Sequence, residues 1–152
     1  MNRSHLLNSL IEAKNYNSYL EIGYGDGDTF HQIDSYSKIG IDPYTPEYDP
    51  FVHRINSSQL KKRITNNPNK IEFDLVFIDG SHLCEDVLID IIVSIQLLSE
   101  NGCIVLHDCL PPSLDWQLRS QSPNVPGWMG DAWRAALASL EHELIEGFTI
   151  ND

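Results

Sequence analysis

Two short apolar runs do most to limit what this chain can fold into. Residues Phe73–Ile78 read Phe-Asp-Leu-Val-Phe-Ile, and residues 103–106 read Cys-Ile-Val-Leu. Each fits a strand buried on both faces. Between them Leu83, Val87, Leu88, Ile91, Ile92, Ile95 and Leu98 recur at helical spacing, and Asn101-Gly102 offers residues that tolerate a left-handed helix end. Strand, helix and buried strand in that order predict a parallel pair joined by a crossover.

The rest of the chain keeps the same rhythm. A first helix is predicted over 4–14, with Leu6, Leu7, Leu10 and Ile11 on one stripe, then a strand over Ser18–Ile22. A short helix over 29–33, a strand over Ser37–Ile41, loop over 44–50, a short strand over 51–55 and a helix over 58–65 follow, with Asn66-Asn67-Pro68 as its stop. Asp131 is read as the cap of a last helix carrying Trp133, Leu137, Leu140 and Leu144 on one side. Alternation of this kind predicts one α/β domain over 1–152, a doubly wound, mostly parallel sheet with helices on both faces. Ligands of such sheets bind beyond the carboxyl ends of the strands.

Charge narrows the partners. The formal net charge is -12, and an acidic surface repels phosphate backbones, so nucleic acid is not expected. Lys61-Lys62-Arg63 is too short a basic cluster to reverse that and reads as a solvated helix face. The three cysteines, Cys84, Cys103 and Cys109, form no CxxC pair and no disulfide framework. No stretch approaches the ~18 apolar residues of a membrane span, and no signal-peptide core follows the N-terminus. A cytoplasmic protein with no membrane partner is the expectation.

The residues with chemistry fall at predicted strand ends. Glu21-Ile22-Gly23-Tyr24-Gly25-Asp26-Gly27-Asp28 follows the first strand, and glycines at every second position let the backbone turn sharply and approach a ligand. Gly23 and Gly25 fit a dinucleotide fingerprint, but Asp28 stands at its third glycine and would face a pyrophosphate. An acid-rich loop suits a cationic sulfonium with an amino group better than NAD. Asp42 ends the second strand, where a carboxylate can accept bonds from both ribose hydroxyls. An ordinary glycine turn and an Asp-Pro turn are the plain alternatives. Asp79 and Asp108 each follow a buried strand, with His82 three residues past the first and His107 just before the second. Such a rim can hold a divalent metal, and His82 titrates near neutrality as a general base should. The plain alternatives are an Asp79-Gly80 turn, Asp108 as a cap and His107 as a satisfied core histidine.

Four blocks in order resemble the class I methyltransferases that use S-adenosylmethionine: residues 20–27, 39–42, 73–82 and 102–108. The last two, with Gly130-Asp131-Ala132-Trp133-Arg134-Ala135, are similar to a small bacterial branch related to the catechol and sugar O-methyltransferases. The resemblance implies a Rossmann-like fold and a methyl transfer to a small-molecule acceptor, O-methylation above all. It places Glu21 near the methionine amino end, Gly23, Gly25 and Gly27 under the cofactor, Asp42 on the ribose, and Asn56 and Ser57 near the adenine. Metal-dependent relatives hold magnesium with an acid at each of two strand ends and an amide after the second. Asp79 and Asp108 match those acids, but Cys109 stands at the amide and is a poor ligand for a hard cation. His107 or His82 would compensate and favour Mn2+ over Mg2+. Where relatives carry a lysine base, this chain has His82.

Residues 111–127 are too long for a simple connector, and Trp116 and Trp128 can cover an acceptor or pack on the sheet edge. The implied fold ends in a reversed strand pair, and only 143–150 offers a candidate strand. A truncated chain, or a homodimer that completes the sheet, would account for that. A nicotinamide oxidoreductase and a non-catalytic nucleoside-binding module remain the rival readings; the second would keep the glycine loop and Asp42 while making no use of His82 and Asp108.

Overall fold

A computed structural model of the chain describes residues 2–45, 48–65, 71–142, 144 and 146–147. The strands are β1 (Ser18–Ile22), β2 (Ser37–Ile41), β3 (Val52–His53), β4 (Phe73–Ile78) and β5 (Leu98–Leu106). The helices are α1 (Arg3–Lys14), α2 (Ser57–Thr65), α3 (Cys84–Leu97) and α4 (Ala132–Glu141). All pairs are parallel, in the order β3-β2-β1-β4-β5. The expected doubly wound α/β sheet is what forms, and its direction of winding reverses between β1 and β4.

Strand alternation divides the core in two. Leu20, Ile22, Ile41, Val76 and Ile78 point to one face, against Leu60 of α2, Val87 and Ile91 of α3 and Ala132 and Ala135 of α4. Tyr19, Leu75 and Phe77 point to the other, against Leu7 and Ile11 of α1 and Phe30 of a 3₁₀ turn at Phe30–Gln32. β4 is buried along nearly its whole length, as its composition demands. Burying one such aliphatic side chain contributes about 1.5–3 kcal/mol.

The structure corrects several boundaries. α3 stops at Leu97, and the chain runs straight into β5, so Asn101 and Gly102 lie within a strand instead of ending a helix. Leu98 pairs with Phe73 of β4, and that non-local pairing overrides local helical spacing. The third strand is shorter than 51–55. The apolar stripe of α4 is inverted: Ala132, Ala135 and Ser139 are buried, while Leu137, Leu140 and Leu144 are exposed. The small residues face α3, where close approach of two helices needs them. α2 begins with a reciprocal cap. Asn56 Oδ1 accepts from the Gln59 N–H at 3.0 Å, and Gln59 Oε1 accepts from the Asn56 N–H at 3.0 Å. The stop at residues 66–68 and the candidate strand over 143–150 fall on residues that lie largely outside those described. Among the described residues no helix is long and apolar enough to cross a membrane.

Candidate active site

Parallel β1 and β4 end side by side, and their following loops lock together. Gly23 takes φ +94°, a left-handed conformation that side chains resist, and a Cβ there would lie 2.3 Å from the Asp79 carbonyl oxygen. Only glycine fits, so the glycine loop and the Asp79 turn are in direct backbone contact at the reversal point of the sheet, where doubly wound sheets open their crevice. The Asp79 N–H donates to the Ile22 carbonyl at 2.8 Å, which fixes the two loops further. Gly25 is exposed, and a Cβ there would meet nothing within 4 Å, so its backbone borders open space.

Asp42 lies at the adjacent strand end. Its Oδ2 accepts from the Gly25 N–H at 2.9 Å and its Oδ1 from the Tyr44 N–H at 2.7 Å. It braces the loop, and each oxygen keeps a further lone pair. Glu21 is only 1 % exposed. Its side chain lies on the α1 face of the sheet and accepts from the Tyr19 hydroxyl. Burial pushes its carboxyl up to about 7, and the Tyr19 bond opposes that rise. Asn56 and Ser57 have structural partners. Asn56 caps α2, and the buried Ser57 hydroxyl donates to Asp90 of α3.

The four acids and histidines converge on the other side of the crevice. His82 Nε2 lies 3.0 Å from Asp108 Oδ2. His107 Nδ1 lies 3.1 Å from Asp79 Oδ1 and 3.1 Å from Asp108 Oδ1, with its N–H squarely aligned to neither. His107 is therefore a rim residue and not a core histidine. Asp108 adopts φ 57°, which aspartate tolerates better than most residues. The close carboxylates of Asp108 and Asp79 outweigh burial and push His107 up to about 9. Burial works against ionised Asp108, yet the imidazoles of His107 and His82 in contact with it hold it well below the usual carboxylate range. His82 is raised, first by its bond to Asp108.

Three residues complete the site: Trp128 was foreseen as a cover for the acceptor, Asp131 was foreseen in another role, and Arg3 was not foreseen. Arg3, in the first turn of α1, pairs with Asp79 Oδ2. Trp128 lies against His82 with ring centroids 4.9 Å apart. Asp131 does not cap α4 with its side chain; it accepts from the Cys84 N–H at 2.8 Å at the start of α3, and its own N–H donates to the His82 carbonyl at 3.0 Å. At Gly130 a Cβ would lie 2.1 Å from that same carbonyl oxygen, so the 130–131 turn clamps the His82 backbone. Arg119 bonds both Asp131 and Glu85 and ties the intervening loop down. The signal for this clamp was the Gly130-Asp131 pair itself; for Arg3 the sequence carries none.

Asp79, His82 and Asp108 each offer a ligand atom, and these atoms lie within 4.8 Å of one another. Two carboxylates and an imidazole suit a divalent cation between hard and borderline character. Cys109 adds nothing: burial pushes its thiol up to about 11, and it donates to the His107 carbonyl at 3.3 Å.

A glycine loop, a strand-end acid and an acid-histidine cluster at the switch point of a parallel sheet define a Rossmann-like α/β enzyme domain. A methyltransferase-domain family model matches residues 20–109, from β1 to just beyond β5. The chain belongs to that family and is a class I methyltransferase. No curated protein matches the sequence. α1, the 111–131 loop and α4 lie outside the matched segment.

Proposed function

We propose that this methyltransferase uses S-adenosylmethionine and methylates a hydroxyl of a small-molecule acceptor. The observation that carries this reading is a contact: Gly23 packs directly on the Asp79 turn, so the loop suited to the cofactor abuts the acid-histidine cluster. When bound, the cofactor supplies an electrophilic methyl on a sulfonium. The open backbone at Gly25, beside Gly23, offers a surface close enough to receive it, while Gly27 is buried against Tyr24 and His31 and shapes the turn. Asp42 has lone pairs left for ribose hydroxyls, and Glu21 and Asp79 supply the acidity that an amino group and a sulfonium favour.

His82 is the proposed base. Asp108 Oδ2 lies 3.0 Å from its Nε2 and orients the ring at the end of β4. His82 would take the acceptor's proton, and the bound cofactor would supply the methyl group and leave as the neutral thioether. Trp128 beside the ring excludes water and covers an apolar acceptor. Aligning acceptor and methyl can supply about 7–11 kcal/mol of barrier lowering. Asp79 and Asp108 would hold a divalent ion, Mn2+ or Mg2+, that lowers the acceptor hydroxyl's pKa and leaves His82 as the base; His107 lies alongside as a positive neighbour of both acids. A homodimer across the half-exposed β5 edge belongs to the same proposal, as does a cytoplasmic setting.

Thermal shift with S-adenosylmethionine, S-adenosylhomocysteine and NAD, each with and without Mn2+ or Mg2+, tests it. Ligand at ~100 times its dissociation constant adds about 2.7 kcal/mol, on the order of 5–10 °C for a domain this size. Shifts with the two sulfur ligands are expected. A shift with NAD alone would overturn the proposal.

A further inference from the structure

α1 reaches the crevice through one side chain. The Arg3 guanidinium donates to Asp79 Oδ2 across 76 residues of sequence, through Nη1 alone. Its side chain is 45 % exposed, and the rest of its planar fork makes no hydrogen bond among the described residues. Three other cations are committed elsewhere. Lys38 donates to the carbonyls of Phe30 and Ile33, Arg119 bonds Glu85 and Asp131, and Arg134 lies over the Trp133 ring. Around Arg3 the rim is acidic, with Asp79 in contact and Glu21 close enough to feel its charge. The Asp79 backbone in turn packs on Gly23. A guanidinium with free donors therefore stands beside the loop proposed to hold the cofactor.

S-adenosylmethionine ends in an amino acid, and both charges of that zwitterion need partners. The acids answer the amino group. We infer that Arg3 recognises the α-carboxylate, through the fork geometry that suits arginine to carboxylates. Resting on the cofactor reading above, this assigns cofactor selectivity to α1, an element outside the family-matched segment. Arg3 is a binding residue in this scheme and takes no part in methyl transfer.

Decarboxylated S-adenosylmethionine separates the possibilities, because it lacks only the carboxylate. Calorimetric affinities of the wild-type chain, R3Q and R3K for it and for S-adenosylmethionine give the test, with melting temperatures alongside. The wild type should prefer the carboxylated cofactor by roughly 10- to 100-fold, the range of a charge-assisted bond. R3Q should abolish the preference by weakening S-adenosylmethionine alone. R3K keeps the charge and the partner Asp79 but loses the fork, and should retain part of the preference. If R3Q melts early, R3K decides, and an equal loss for both ligands in R3K overturns the inference. So does a wild type without preference, or a folded R3Q that keeps it. A wild type that binds neither ligand overturns the cofactor reading itself, and this inference with it.

Discussion

Asp108 shows how much one residue can organise. It sits in a left-handed conformation just past β5, and its two oxygens divide between His82 and His107. The first contact orients the proposed base; the second keeps a positive charge beside Asp79. His82→Ala is expected to lower turnover by about 10²–10⁴-fold with cofactor affinity nearly unchanged, as loss of a general base does. Steady-state turnover and equilibrium binding check this, and full activity in the variant would remove His82 as base. Because Asp108 raises the His82 pKa and only neutral His82 accepts a proton, wild-type kcat/KM should rise with pH through a midpoint above the ordinary imidazole value. A profile flat across pH 6–8 would contradict that. The acids and His82 were legible in the sequence because each follows a run that could only be a buried strand. Glu21 was legible as an acid but not as a buried one: its burial depends on α1 packing over that face of β1, which the local pattern does not specify.

Elements meet at the 130–131 turn. This short segment grips three others: it holds the His82 carbonyl, accepts the first N–H of α3 and receives Arg119 from the preceding loop. Asp131→Ala should leave the Cys84 N–H without its acceptor and loosen the His82 backbone. The expected cost is about 1–2 kcal/mol of stability, the scale of a lost helix cap. Turnover should fall while cofactor affinity, set at the β1 and β2 ends, holds. Chemical denaturation and a KM-against-kcat split check both parts. An equal loss of cofactor affinity would place Asp131 in general stability alone. Periodicity foresaw the α4 helix but reversed its buried side, since it weighs leucine above alanine. Close packing on α3 requires the opposite choice.

At the scale of the whole molecule, burial raises the pKa of two carboxylates in this acidic chain, Asp90 and Glu21. Asp90 is 7 % exposed between α2 and α3, and burial pushes it up to about 6 even though Ser57 donates to it. A carboxyl raised in the folded state binds its proton more tightly there than in the unfolded chain, so its contribution to stability falls as pH rises through about 6 and is unpenalised below pH ~4. Glu21, raised to about 7, acts in the same direction. Asp90→Asn keeps an acceptor for Ser57 and removes the charge. It should stabilise the fold at pH 8 by about 1–3 kcal/mol and leave it little changed at pH 4. Urea melts at the two pH values decide; equal effects at both would show that packing and not ionisation governs the site.

The sequence by itself determined the class of fold, the strands that carry it, the glycine loop and the acids and histidines at the strand ends. Each of these depends on patterns a few residues long: buried runs, helical spacing and glycines where side chains collide. Only the tertiary structure decided that β1 and β4 lie side by side, that Arg3 reaches Asp79, that Asp131 serves α3 and not α4, and that α4 buries its small face. These contacts join residues tens of positions apart. Their energy comes from packing and desolvation across the assembled sheet, and no local pattern encodes which distant partner will be there.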